Sequence, residues 1–164
     1  MRGVPDLEIL EADLEDPRQA VAVVAMIDAY SRDPMGAGAP LRDEVRDALI
    51  PALRAHEGTV VFLARKAREP IGVAVCFTGF STFAARPLLN VHDLSVVAPH
   101  RGTGVGRRLL AAAEEFARER GYCKLTLEVL EHNTPAVLLY ERFGFESYQL
   151  DPTIGRAFMM QKKL

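Results

Sequence analysis

Arg101, Gly102, Gly104 and Gly106 stand together in the string APHRGTGVGRRLL, residues 98–110, which runs straight into a helix-forming stretch. Three glycines at alternate positions leave bare backbone where a helix begins, and the first turn of a helix offers unpaired N–H groups at the positive end of its dipole. The chemistry this suits is the holding of an anion. Upstream, in NVHDLSV, His92 and Asp93 are neighbours on a β-rich run. An imidazole titrates close to neutral pH, so His92 fits proton abstraction, directly or through a water, with Asp93 as the other candidate on the same strand. Strict alternation puts Asn90, His92, Leu94 and Val96 on one face and Val91, Asp93 and Ser95 on the other. Downstream, Tyr140 follows Asn133 by seven residues, nearly two helical turns at about 100° per residue, so both project the same way.

The glycine cluster has other readings. A tight strand-to-helix turn needs no ligand. A dinucleotide-binding turn also sets glycines between a strand and a helix, with Glu128 standing about where a ribose-binding acid would. Such a loop normally opens its domain, whereas here about 100 residues precede it. A Walker-type phosphate loop is excluded, because no lysine followed by serine or threonine stands at the required place.

Bulk properties bound these readings. A chain of 164 residues suits one domain, 1–164, with room for a real core. Apolar residues at 49% and a net charge of -2 describe a soluble globule without the positive excess of a nucleic-acid binder. No apolar run resembles a signal peptide or is long enough to cross a bilayer, so a cytoplasmic protein without a membrane partner is expected. Cys76 and Cys123 lie far apart in no metal-ligand spacing, which indicates neither a disulfide framework nor a metal site.

The elements that must position these residues follow from local pattern. A short strand is predicted near residues 7–10. A helix over 17–31 follows, capped by Asp16 with Pro17 at its first position. The segment PMGAGAP breaks the chain. A second helical pattern places Leu41, Val45, Leu49 and Leu53 on one stripe, with Pro51 as a kink or split. TVVFLARK and IGVAVCFTG read as a hairpin, and LLNVHDLSVV as the next strand. After the glycine loop an amphipathic helix is closed by Gly121. KLTLEVL is a strand, NTPAVLLYERFG a short helix ended by Gly144, and FESYQL and AFMMQKKL are two closing strands. The sum is a mixed α/β chain whose late part runs β-loop-helix-β-helix-β.

The string DLSVVAPHRGTGVGRRLL followed by TLEVLEHNTPAVLLYERFGF resembles the GNAT family of N-acetyltransferases, whose acetyl-CoA signature is Q/R-x-x-G-x-G/A. Arg101, Gly104 and Gly106 match it, and Asn133, Tyr140, Gly144 and Phe145 match the second signature. The strong likeness spans residues 89–145. It implies a mostly antiparallel sheet of about six to seven strands flanked by four helices, binding acetyl-CoA as cosubstrate with no metal, and direct transfer to a primary amine, more readily of a small molecule than of a protein tail. A non-catalytic acyl-CoA sensor of the same fold shares the loop and remains the alternative. The likeness further implies that the CoA diphosphate rests on the amides of Arg101, Gly102, Thr103, Gly104, Val105 and Gly106, with Arg107 or Arg108 at the rim. The pantetheine arm then pairs with the main chain of Leu94, Ser95 and Val96, and Asn133 bonds the CoA arm or caps its helix. Tyr140 protonates the leaving sulfur, or only packs beside Phe143. Specificity then falls to the variable parts. SRDPMGAGAPL has the composition of a mobile lid, where Asp28, Tyr30 and Asp33 meet a cation or are merely solvated. In GFSTFAARPLLN, Phe80 and Phe83 wall the acceptor pocket and Arg86 receives a carboxylate, although core packing or a homodimer contact accounts for the phenylalanines as well.

Overall fold

The computed structural model describes residues 6–147, 153 and 159–163. Five strands form one sheet in simple order: β1 (Leu7–Glu11), β2 (Thr59–Lys66), β3 (Glu69–Ser81), β4 (Arg86–Val96) and β5 (Leu125–Leu127). The first four pair antiparallel, and β5 joins β4 in parallel. Four helices among the described residues flank this sheet: α1 (Pro17–Arg32), α2 (Asp43–Ala55), α3 (Val105–Glu119) and α4 (Thr134–Phe143). The strand count is lower than expected. Of the two closing strands, residues 148–150, 157, 158 and 164 lie outside the described residues, while 145–147 and 159–163 form no strand.

The two central strands are apolar on both faces, which explains the unbroken runs VVFLA and IGVAVC. Val60, Phe62, Ala64, Ala74 and Cys76 pack beneath α3, with Val105, Leu109, Leu110 and Ala113. Val61, Leu63, Val73 and Val75 face α1 and α2, against Val23, Met26 and Leu53. Leu63 is fully buried, and truncating such a side chain to alanine costs about 2–5 kcal/mol. Gly72 on β3 allows α3 to approach, since a Cβ there would lie 3.2 Å from Leu109 Cδ1 and 3.0 Å from Ser95 O.

Helix ends follow local chemistry. Asp16 accepts from the Arg18 amide at 2.9 Å, ahead of Pro17. Gly121 (φ 69°) and Gly144 (φ 105°) take the left-handed conformation just past α3 and α4. Pro51 does not split α2, which runs through it at the cost of one intrahelical hydrogen bond.

Candidate functional site

The register of β4 is broken where its chemistry lies. Cys76 pairs with Val91 and Val75 pairs with Asp93, so His92 is the extra residue of a β-bulge. The alternation expected for this strand fails here. Val91 packs with Leu94 and Val96 in the core beneath α3, while Asp93 faces the other side of the sheet with its partner Val75. His92 moves to that second side, its exposed ring standing edge-on to Phe77 at 5.3 Å.

The bulge also ends the pairing with β5. Residues 89–91 pair with 125–127, braced by Asn90 Nδ2 donating to Thr126 Oγ1 at 3.1 Å, and beyond them the strands part. Among the described residues, no strand lies beside the outer edge of β4 from Asp93 onward. A cleft of about 670 Å³ opens there, bringing together His92, Asp93 and Leu94 of β4, Glu128 after β5, and Asn133 and Tyr140 of α4. Tyr30 of α1 and Met35, Gly36 and Ala37 of the following segment close it on the far side.

The main chain at the free edge is selective. Val97 N–H donates to Ile71 O at 3.0 Å, so by alternation the Ser95 amide and carbonyl also point into β3, and those of Leu94 and Val96 point outward. Ser95, expected to contact a pantetheine arm through its backbone, turns its amide and carbonyl into β3 instead. Val96 O is already taken by Arg101 Nε at 2.8 Å.

At the glycine loop, Gly102 (φ 72°) and Gly104 (φ 92°) adopt left-handed backbone, and a Cβ at either would meet nothing within 4 Å. The space over this backbone is open. The first hydrogen bond of α3 runs from Arg108 N–H to Gly104 O at 3.1 Å, so the first-turn amides of Val105, Gly106 and Arg107 lack an intrahelical acceptor, as suits an anion. Arg101 is not one of this set: its amide donates to Ala98 O at 3.2 Å and its guanidinium turns to Asp33 Oδ2 at 2.6 Å. Gly106 serves packing as well, since a Cβ there would lie 3.0 Å from Leu139 Cδ2 of α4. Thr103 spends its hydroxyl on His100 O at 2.6 Å. Val105 is buried and offers only its amide. Arg107 lies over the Phe143 ring, 5.5 Å from its centre, at the rim.

Burial tunes the cleft. It pushes the Tyr140 phenol up to about 12, reinforced by Tyr30, so Tyr140 keeps its proton at neutral pH. Burial also raises the Asp93 carboxyl above the ordinary carboxylate range, with His92 pulling it back in part. The Tyr30 phenol is raised by burial and then by the charges of Asp93 and Asp33. Asn133 stands at the N-terminal cap position of α4 yet makes no side-chain capping bond, so its amide is left to the cleft.

Other expected site residues are committed elsewhere. Arg86 donates through Nε and a terminal nitrogen to Gly121 O, at 3.1 and 2.7 Å, and closes the end of α3. Phe80 and Phe83, 64% and 94% exposed, are not among the residues lining the cleft. Asp28 is buried rather than solvated, accepting from Arg32, Arg46 and the Leu41 amide at 2.8–2.9 Å. Among the described residues no group of three or more His, Cys, Asp or Glu side chains could hold a metal, and no helix is long and apolar enough to cross a membrane.

The sequence profile of the acetyltransferase (GNAT) family matches residues 23–145. The chain belongs to that family. It is 42% identical over 78 residues to streptothricin acetyltransferase of Streptomyces lavendulae, a stretch that is 48% of this chain and 41% of that protein. An uncharacterised N-acetyltransferase, YhfO of Bacillus subtilis, is 34% identical over 100 residues, 61% of this chain and 67% of its own length. The chain thus spans less than half of the streptothricin enzyme and two thirds of YhfO. Among solved structures, a probable acetyltransferase superposes with a TM-score of 0.76 at 22% identity, covering 95% of this chain and 98% of that one. An aminoglycoside acetyltransferase from a soil metagenomic sample gives 0.75 at 18% identity, covering 96% and 97%. At such identities these two support the fold alone.

Proposed function

We propose that this chain is an N-acetyltransferase, a single domain that moves the acetyl group of acetyl-CoA directly to a primary amine of a small molecule. The observation that carries the reading is the parting of β4 and β5 at the His92 bulge, which leaves a strand edge, a half-buried carboxyl and a protonated phenol around one cleft, with the open-backed glycine turn following the same strand ahead of α3. The residues present fit acetyl-CoA. Amides 102–107 would hold its diphosphate with Arg107 at the rim, the outward main chain of Leu94 and the outward amide of Val96 would pair with its extended arm, and Asn133 would bond that arm across the cleft. When bound, it supplies an acetyl thioester. Its name assigns streptothricin to the Streptomyces relative, which supports a small-molecule acceptor here.

The chain's own groups divide the proton work. Asp93 takes a proton from the incoming ammonium, a task for which its raised pKa, closer to neutral, suits a carboxylate. The amine nitrogen then bonds the acetyl carbon, the carbon–sulfur bond breaks, and the Tyr140 phenol protonates the leaving sulfur. The second proton shed by the nitrogen as the amide forms restores the phenol. His92, exposed at the bulge, stands beside Asp93 on the path to water.

Incubation with acetyl-CoA and a panel of polyamines, aminoglycosides, amino acids and short peptides, with CoA thiol release as the readout, tests this. Release dependent on a small primary amine is expected. Acetyl-CoA binding without amine-dependent release would make the chain an acyl-CoA sensor, and preferential binding of NAD would restore the dinucleotide reading.

A further inference from the structure

The segment between α1 and α2 has a loop's composition but is built as a wall. The Ala37 and Ala39 amides both donate to Ser31 O at 3.1 Å, Ser31 Oγ donates to Ala39 O at 2.7 Å, and the Gly36 amide donates to Asp33 O at 2.8 Å. A Cβ at Gly36 would fall 2.2 Å from Tyr30 O, so the wall closes only with glycine there. Its Met35 and Gly36, with Tyr30 at the end of α1, line the same cleft as Asp93 and Tyr140. One anchor is Asp28, which accepts from the Leu41 amide at 2.9 Å. The other is Asp33, whose Oδ1 accepts from the Met35 amide at 2.8 Å while Oδ2 accepts from Arg101 at 2.6 Å. Arg101 in turn holds Val96 O at 2.8 Å.

We infer that Arg101 is a positioning residue for the acceptor rather than a ligand of the diphosphate: its side chain ties the acceptor wall, through Asp33, to the edge strand that borders the acetyl-CoA cradle. The role assigned to the cradle rests on the proposed acetyl transfer. The bridge explains why an arginine opens a loop whose own anion site is made of amides. Its guanidinium is committed to a carbonyl of β4 and a carboxylate of the wall. The acceptor site is complete only while that bridge stands.

Asp33→Asn isolates the bridge, because an asparagine oxygen still accepts from Met35 while its amide group cannot accept from Arg101. Hydrogen exchange of the amides at residues 35–39 should quicken by about fivefold in this variant, the upper value for a partly exposed ion pair. With an amine that turns over, the acceptor KM should rise by about the same factor, with kcat and acetyl-CoA affinity unchanged. Arg101→Gln should reproduce the KM effect, and the double variant should be no worse than either single one, as expected of two residues sharing one interaction. Unchanged exchange in Asp33→Asn overturns the tether. So does an Arg101→Gln protein that loses acetyl-CoA affinity while keeping its acceptor KM, since Arg101 would then be a phosphate ligand. If no amine supports turnover in the wild type, the proposed function fails, and the exchange measurement still decides the tether.

Discussion

Tyr140 and Asp93 are polarised in the directions that acyl transfer to an amine needs, and burial is the first cause in both cases. The phenol, pushed up to about 12, is a donor across the working pH range. Tyr140→Phe should lower kcat by about a hundredfold, the lower range for a lost general acid, with acetyl-CoA affinity unchanged by calorimetry. An unchanged kcat would leave the ring only its packing role, 5.8 Å from Phe145. For Asp93 the sign runs the other way. Only the ionised carboxylate accepts a proton, so kcat/KM should climb as pH rises through its raised pKa, and Asp93→Asn should abolish that limb of the profile. His92→Ala should retain it; loss of the limb in His92→Ala would return the base to the imidazole. The residue types were legible from the sequence, as were Asn133 and Tyr140 on one side of a helix. The facing of His92 and Asp93 was not, because a bulge inserts one residue and inverts every later side chain on the strand.

At the scale of elements, caps and breakers read well because they act within a few residues: Asp16 before Pro17, Gly121 after α3, Gly144 after α4. The segment after α1 did not. Its glycines and prolines suggest mobility, yet hydrogen bonds to Ser31 O and Asp28 organise it, and partners that distant leave no local mark. The glycine loop tests a different physics. A left-handed conformation costs an L-residue about 1–2 kcal/mol, and a side chain at Gly104 would stand in the open space above the amides. Gly104→Val should therefore raise the acetyl-CoA dissociation constant by about tenfold or more, equivalent to about 1.4 kcal/mol, while circular dichroism keeps the native spectrum. Binding as tight as wild type would remove the cradle from the reading.

Across the whole molecule the two ends of the sheet have separate duties. Arg86 holds the C-terminal end of α3 beside the β3–β4 turn that carries Phe83, whereas the cradle and cleft lie toward the N-terminal end of α3. Phe83→Ser should leave kcat and both KM values unchanged; a shifted acceptor KM would put this turn back into the acceptor site. The family, the order of elements as far as α4 and the glycine turn before α3 were all legible in the sequence alone, because each is written in short-range patterns: glycines before a helix, apolar periodicity, capping residues. Only the tertiary structure decided that β4 bulges at His92 and parts from β5, that Ser95 turns its backbone inward, and that Arg101 reaches Asp33. Those outcomes depend on register between strands and on contacts between residues far apart in the chain, which no local pattern encodes.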